Sequence, residues 1–339
     1  MHIIYTLDDN FAMQTGVSLT SLLMNNKNAI EINVHIISHQ LSLENKLRLE
    51  KCIKDYKRNV FFYNQSGIEK YSKKLYITDN WSLATYLRLF VVETLPIHVE
   101  RAIYIDSDTL IMNSIEPFWE TEFLENKMVC GVTRDNYRVV NKNHYKYLNL
   151  NEDDVYINAG ILLMDINSLR KINITDRYIK FMESYDFIFP CVDQDVINGT
   201  LKGKIQRIAP EYNVVTPLFM KGGKEIAKMN FAHDKEYYNQ ILRSMDFPVI
   251  LHFTGGRNTP YRPWYKGSLH PYTEQWREIK SKTVWRDTAL KPLPKGFRMF
   301  LRWLFRKLPT SIYIAYFKLK CNKRFFNLDL YKIRKKINK

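Results

Sequence analysis

Arg101-Ala-Ile-Tyr-Ile-Asp-Ser-Asp-Thr-Leu110 decides how the rest of the chain is read. Ala102 to Ile105 is a short apolar run of β-branched and aromatic residues, the pattern of a buried strand. It ends on Asp106-Ser107-Asp108. In extended backbone side chains repeat every second position, so both carboxylates face the same way. Two like charges held that close disturb each other's ionisation unless a cation lies between them, and oxygen ligands suit magnesium or manganese. Asp-Ser-Asp also suits an acidic turn capping the next segment, and the tripeptide alone leaves both readings open.

Upstream, His2 to Leu7 predicts a first strand, followed by Asp8-Asp9-Asn10 and a helical stretch through Leu22-Leu23-Met24. Ile32 to Ile37 predicts a second strand, Ser42 caps a helix running to about Tyr56, and Val60 to Tyr63 supplies a third strand. Strands alternating with helices argue for βαβ units in a mainly parallel sheet, where ligands bind beyond the carboxyl ends of the strands. Asp8, Asn10, Asp106 and Asp108 all follow such ends and could share one crevice. Neither G-x-G-x-x-G nor G-x-x-x-x-G-K occurs, so any nucleotide phosphates here need another source of positive charge, such as a metal on the two aspartates.

Trp81 to Leu95 predicts a helix with Ala84, Leu87, Val91 and Leu95 on one stripe. Periodicity places Arg88 at the edge of that stripe and favours a solvated side chain. Met128 to Thr133 predicts another strand, ending near Asp135. Residues 136–153 read as a polar and aromatic loop or lid rather than core. Asn158-Ala159-Gly160 opens the next strand, and Gly160 signals either close approach to the backbone or a bulge. Asp193-Gln194-Asp195 opens a short helix. One acid at a helix start is ordinary dipole matching; two with a glutamine suggest more. His252, on the strand Val249 to Phe253, is either a satisfied core histidine or a third metal ligand beside the carboxylates. After it, Gly255 and Gly256 allow backbone N–H groups to approach an anion, and Arg257 and Arg262 supply positive charge.

At 339 residues, with 45% hydrophobic and 14% aromatic content, the chain is globular rather than disordered. Cys52, Cys130, Cys191 and Cys321 show no Cys-x-x-Cys spacing and read as reduced core residues, as expected of a cytosolic chain. No signal peptide or uncharged run near the roughly 20 residues needed to span a bilayer is visible. The net charge of +16 sits almost entirely in the tail: from Lys291 onward there are fifteen Lys and Arg against one acid, Asp329, a net of +14. In Phe297 to Leu308, Arg298, Arg302 and Arg306 recur every four residues among bulky apolar ones. That pattern predicts a helix lying on an anionic membrane surface. A docked helix with a solvated basic face is the second reading. Nucleic-acid binding is the third and is disfavoured, because phosphate contacts do not need the apolar residues.

Taken in order, Tyr5-Thr-Leu-Asp-Asp-Asn10, Thr85-Tyr-Leu-Arg-Leu89, Tyr104-Ile-Asp-Ser-Asp108, Asn158-Ala-Gly-Ile-Leu-Leu163, Asp193-Gln-Asp195 with Asn198-Gly199, and His252-Phe-Thr-Gly255 leading to Arg262-Pro-Trp264 resemble glycosyltransferase family 8. These are retaining enzymes that include bacterial lipooligosaccharide and lipopolysaccharide α-galactosyl- and α-glucosyltransferases. The resemblance, which spans about residues 1–275, implies an α/β fold of GT-A type, a mainly parallel mixed sheet flanked by helices, for a catalytic domain of residues 1–285; the charge and apolar pattern of the tail make residues 286–339 a basic helical membrane-association segment. The resemblance also implies Mn²⁺ or Mg²⁺ on Asp106, Asp108 and His252, bridging the diphosphate of a UDP-hexose. Thr6, Asp8 and Asn10 would bind uracil and ribose, with Ser107 and Ala159 also lining the nucleotide-sugar site. Arg88, Asp135, Asn158, Asp193 and Gln194 would hold the donor hexose, with Gln194, Asp193 and Asp135 as the catalytic candidates. Gly255 with Arg262 or Arg257 would reach the phosphates. The acceptor implied is a glycan, lipid-linked or glycoprotein hydroxyl; the cysteine pattern and the basic tail add an expected location at the inner face of the cytoplasmic membrane. A catalytically silent UDP-sugar-binding scaffold at the membrane is the alternative from another class.

Overall fold

The computed structural model describes residues 1–65, 67–75, 83–133, 142–255, 259–293, 304, 307–315 and 319. Among these, the strands in chain order are β1 (His2–Leu7), β2 (Asn33–Ser38), β3 (Asn59–Asn64), β4 (Arg101–Ile105), β5 (Thr109–Ile111), β6 (Val129–Thr133), β7 (Ile157–Asp165), β8 (Ile205–Arg207), β9 (Val214–Val215) and β10 (Ile250–His252). The larger sheet runs β3-β2-β1-β4-β7-β6-β8 and the smaller one β5-β10-β9. The first four strands of the large sheet are parallel, as the alternation with helices predicts, and β7 runs antiparallel to both neighbours.

Alternation along the central strands sends neighbouring residues to opposite faces. Ile4 and Tyr104 join one core, while Ile3, Tyr5, Ile103 and Ile105 join the other. The sheet is thus covered on both sides, which is why its strands read as near-continuous apolar runs. Helices Ala12–Asn25 and Leu43–Lys54 fall where the sequence places them, and the Ser42 side chain accepts from Asn45 N as an N-cap. Cys52, Cys130 and Cys191 are buried and free; Cys321 lies outside the described residues.

Three expectations change. The stretch predicted as one helix from Trp81 is a 3-10 helix over Leu83–Phe90 and a short α-helix over Val91–Thr94. Arg88 is not solvated but buried, at 9% exposure. Part of the supposed loop is helix, Lys142–Tyr147, and Tyr145, Leu148 and Leu150 belong to the core. Aromatic side chains in polar surroundings disguised that packing. Most of the predicted helix Phe297 to Leu308 lies outside the described residues. Just beyond it, residues 310–315 are helical, Thr310 and Ile314 pack by Gly222, and Lys221 Nζ donates to the Leu308 carbonyl. No helix among the described residues is long and apolar enough to cross a membrane.

Candidate active site

Backbone pairing explains how residues far apart in sequence meet. Beyond β4 the chain turns through Asp106-Ser107-Asp108 into β5, which pairs antiparallel with β10 so that His252 lies opposite Thr109. Phe253 N donates to Asp108 O at 2.8 Å, locking that register. On the other side, β4 and β7 pair as far as Ile105 and Ile161, and Asp106 N donates to Gly160 O at 2.8 Å. Three segments therefore converge on the pair of aspartates.

His252 Nε2 lies 3.1 Å from Asp108 Oδ1 and 3.6 Å from Asp106 Oδ2. Ligand atoms from these three residues all lie within 4.8 Å of one another, so one divalent ion can reach all three. Gly160 resolves as close approach: a Cβ there would lie 2.7 Å from Asp106 Oδ2 and run into the His252 ring. The donor set, two carboxylates and an imidazole, fits Mn²⁺ or Mg²⁺, with the nitrogen favouring the former.

Charge on the carboxylates is already managed unequally. Burial pushes the Asp106 pKa up, and Asp108 adds to this, while Arg88 and His252 pull against it. Burial also works to raise that of Asp108, but His252 and Arg262 outweigh it and hold the carboxyl below its usual range. Arg88 is the internal counter-charge. Its Nη2 lies 2.7 Å from Asp106 Oδ1, its Nε 2.7 Å from Asp193 Oδ2, and its Nη1 donates to Ala159 O at 2.5 Å. Tyr104, two residues before Asp106 and so on the same face, donates to Asp106 Oδ1 at 2.8 Å.

The remaining candidates divide by location. Thr6 shares a 2.7 Å hydrogen bond with Tyr104; Ser107 takes a 2.8 Å bond from Thr15 and donates to Thr6 O at 3.4 Å, which ties the end of β1 to the aspartate turn. Asp8 caps the short 3-10 helix Asp9–Phe11 and accepts from Asn10 N at 3.0 Å. Arg262 donates to Gly255 O at 2.5 Å and lies 3.5 Å from Asp108 Oδ2. Gly255 has a φ of 130°, a conformation that favours glycine. Asp135 and Arg257 lie outside the described residues.

On the helix Val192–Thr200, Asp193 and Gln194 face the same centre. Asn198 fastens this helix to β7, accepting from Ile157 N at 2.8 Å and donating to Ile157 O at 3.0 Å. Gln194 Oε1 accepts from Asn158 Nδ2 at 3.0 Å and Ala159 N at 3.3 Å. Burial lifts the Asp193 pKa to about 7, with Asp106 adding to the rise and Arg88 opposing it. The unfolded chain would ionise the same group near 4. Between those pH values the unfolded state releases the proton first, so the stability of the metal-free protein falls as pH rises. Asp193→Asn removes this contribution, and its melting temperature should depend less on pH between about 4 and 7 than that of the unsubstituted protein. Equal slopes in thermal melts would overturn the assignment.

Sequence reasoning did not single out Tyr156, Asn213 or His144. Tyr156 OH accepts from Gln194 Nε2 at 2.8 Å, and Asn213 Oδ1 lies 3.0 Å from His252 Nδ1. His144 Nε2 lies 2.7 Å from Asp195 Oδ1. Only Tyr104 left a readable signal, its two-residue spacing from Asp106.

The model of glycosyl transferase family 8 matches residues 2–267. General stress protein A of Bacillus subtilis is 26% identical over 291 residues, covering 84% of this chain and 94% of that protein. The lipopolysaccharide 1,3-galactosyltransferase of Salmonella typhimurium is 26% identical over 328 residues, covering 94% and 91%. A crystal structure of the galactosyltransferase LgtC in complex with donor and acceptor sugar analogues aligns with a TM-score of 0.73 at 21% identity, over 85% of this chain and 99% of that one. That last likeness is one of fold, and it agrees with the GT-A type architecture expected from the sequence.

Proposed function

Because the chain belongs to glycosyltransferase family 8 and is an enzyme, we propose that it moves a hexose, galactose or glucose, from a UDP-sugar to a hydroxyl of a glycan or lipid-linked acceptor, with retention and hence an α-linkage. The observation that carries this reading is the meeting of Asp106, Asp108 and His252 at one point beside Arg88, Asp193 and Gln194. Those three residues would hold Mn²⁺ or Mg²⁺, which when bound offsets the negative charge that develops on the leaving diphosphate.

The chain's own residues supply the rest. Thr6, Asp8 and Asn10 at the end of β1 bind uracil and ribose, with Ser107 and Ala159 lining the site. Arg262 brings positive charge to the diphosphate, 3.5 Å from Asp108 Oδ2. Arg88, Asn158 and Asp193 orient the sugar. The acceptor oxygen attacks C1 on the face the diphosphate leaves, and its proton passes to the departing phosphate oxygen. Gln194 only stabilises the cationic sugar ring, since an amide is a poor nucleophile. Asp195 is already engaged by hydrogen bonds from Cys191 N at 2.6 Å and Tyr156 OH at 2.6 Å. Trapping a sugar covalently on Asp193 or Asp195 would overturn front-face attack.

An acceptor with an apolar portion suits the cavity next to this centre. Asn158 and Asn213 bound one side of it, and Leu218, Ile226, Phe231 and Tyr313 supply apolar wall. Tyr313 comes from the C-terminal segment, so the cavity adjoins the basic tail. A lipid-linked acceptor would enter there while residues 286–339 rest on the cytoplasmic face of an anionic membrane. Deletion from about residue 297 should abolish cosedimentation with anionic liposomes while UDP release persists; a truncated protein that still cosediments removes the membrane part of the reading.

The function itself is tested with UDP-galactose and UDP-glucose, with and without Mn²⁺, by measuring UDP release and sugar transfer to glycan acceptors. Metal-dependent release from one of them is the expected result. Absence of release from both, in metal-loaded folded protein, would sink it.

A further inference from the structure

Behind the metal triad runs a chain of hydrogen bonds whose direction is fixed at one end by a carboxylate. Asp195 is fully buried, and its carboxyl oxygens accept, Oδ2 from Cys191 N at 2.6 Å. Tyr156 OH donates to its Oδ1 at 2.6 Å, which leaves the phenol oxygen to accept from Gln194 Nε2 at 2.8 Å. Gln194 Oε1 therefore faces Asn158 Nδ2 at 3.0 Å. Asn158 Oδ1 in turn accepts from Asn213 Nδ2 at 2.9 Å. Asn213 then presents its oxygen to His252 Nδ1 at 3.0 Å.

Two backbone groups prevent this order from reversing. Ala159 N points at Gln194 Oε1 at 3.3 Å and Gly160 N at Asn158 Oδ1 at 3.0 Å. A backbone N–H can only donate, so flipping either amide would set two donors against each other. Because Asn213 offers only an acceptor to the ring, His252 Nδ1 must carry a hydrogen. A neutral imidazole has one N–H, so in the form that can take a metal its Nε2 is a lone pair directed at the gap between Asp106 and Asp108.

We propose that Asn213, held through Asn158, Gln194 and Tyr156 by Asp195, is a positioning residue that keeps His252 in the tautomer able to bind a divalent cation through Nε2. This rests on the metal-site reading above but not on the identity of the transferred sugar. Without the relay, the competing tautomer puts a hydrogen on Nε2, where Asp108 Oδ1 at 3.1 Å would accept it and the ring would be lost as a ligand. The relay also makes the amide proposed to face the sugar part of the same hydrogen-bonded unit as the metal ligand, which explains why Gln194 has both ends of its side chain occupied.

The test measures Mn²⁺ affinity alone, without nucleotide, by electron paramagnetic resonance at one fixed pH for all variants. Asn213→Leu keeps the shape but removes the acceptor, and should weaken Mn²⁺ binding about tenfold or more. Asn213→Asp restores an acceptor for Nδ1–H but sets its second oxygen against Asn158 Oδ1, and should recover part of that loss. Tyr156→Phe, which cuts the anchor and leaves the two backbone contacts, should fall between Asn213→Leu and the unsubstituted protein and serves if Asn213→Leu does not fold. Unchanged affinity in folded Asn213→Leu would overturn the proposal, as would an Asn213→Asp variant no better than Asn213→Leu. Where Asn213→Leu does not fold, unchanged affinity in Tyr156→Phe overturns it. A protein that binds Mn²⁺ as predicted but releases no UDP would leave the relay standing and remove the glycosyltransferase reaction instead.

Discussion

Asp108→Asn is expected to lower kcat/KM for the UDP-hexose by about a thousandfold or more while leaving the fold intact. The side chain keeps its size and one carbonyl oxygen, so packing changes little. What it loses is the negative charge that His252 and Arg262 hold ionised below the usual carboxylate range. An amide in its place binds a divalent cation weakly, and its NH₂ group would face the Nε2 lone pair or the guanidinium of Arg262, 3.5 Å from Oδ2. Raising Mn²⁺ should recover part of the activity, because the defect is in holding the ion. Asp106→Asn is a less clean experiment, since Asp106 also takes hydrogen bonds from Arg88 and Tyr104. Steady-state kinetics across a Mn²⁺ series, with thermal melts for folding, decide the matter. Activity within tenfold of the unsubstituted protein would remove Asp108 from the site.

What sequence patterning reveals here, and what it conceals, follows from the range of each interaction. Strand alternation and capping are local, so β1 to β4 and the Ser42 cap were readable directly. The two carboxylates were readable for the same reason, being two residues apart on extended backbone. The chemistry of His252 left it between core residue and third ligand until the family resemblance decided, because its position depends on the pairing of β5 with β10, strands of three residues each. Arg88 was misjudged because charge normally predicts exposure, and its two carboxylate partners come from other segments, the turn after β4 and the helix Val192–Thr200. Asn213 and Tyr156 left no local trace at all. Hydrogen-bond partners of buried amides and phenols are chosen by tertiary structure, and single-residue periodicity does not encode them.

Arg88→Lys shows what that misjudged residue contributes, and should be nearly as damaging as loss of a metal ligand. The guanidinium reaches Asp106, Asp193 and the Ala159 carbonyl at once, and its centre sits 4.8 Å from the Tyr104 ring. Such a planar fork joins two carboxylates with separate nitrogens; an ammonium is a point charge with one nitrogen to place. Lysine would serve one carboxylate and leave the other buried without a partner. Breaking a buried pair in this way costs about 3 kcal/mol of stability, which chemical denaturation would register. Asp193 is the group most exposed to the change, because Arg88 is what opposes the rise of its pKa under burial. Its pKa should climb further, and the carboxylate proposed to orient the sugar would be largely protonated at neutral pH. The expected loss in kcat/KM is about a hundredfold to a thousandfold, with a partial return as pH is raised and Asp193 ionises. A conservative substitution with no kinetic effect and less than about 1 kcal/mol lost in denaturation would mean that the three contacts are incidental to the site.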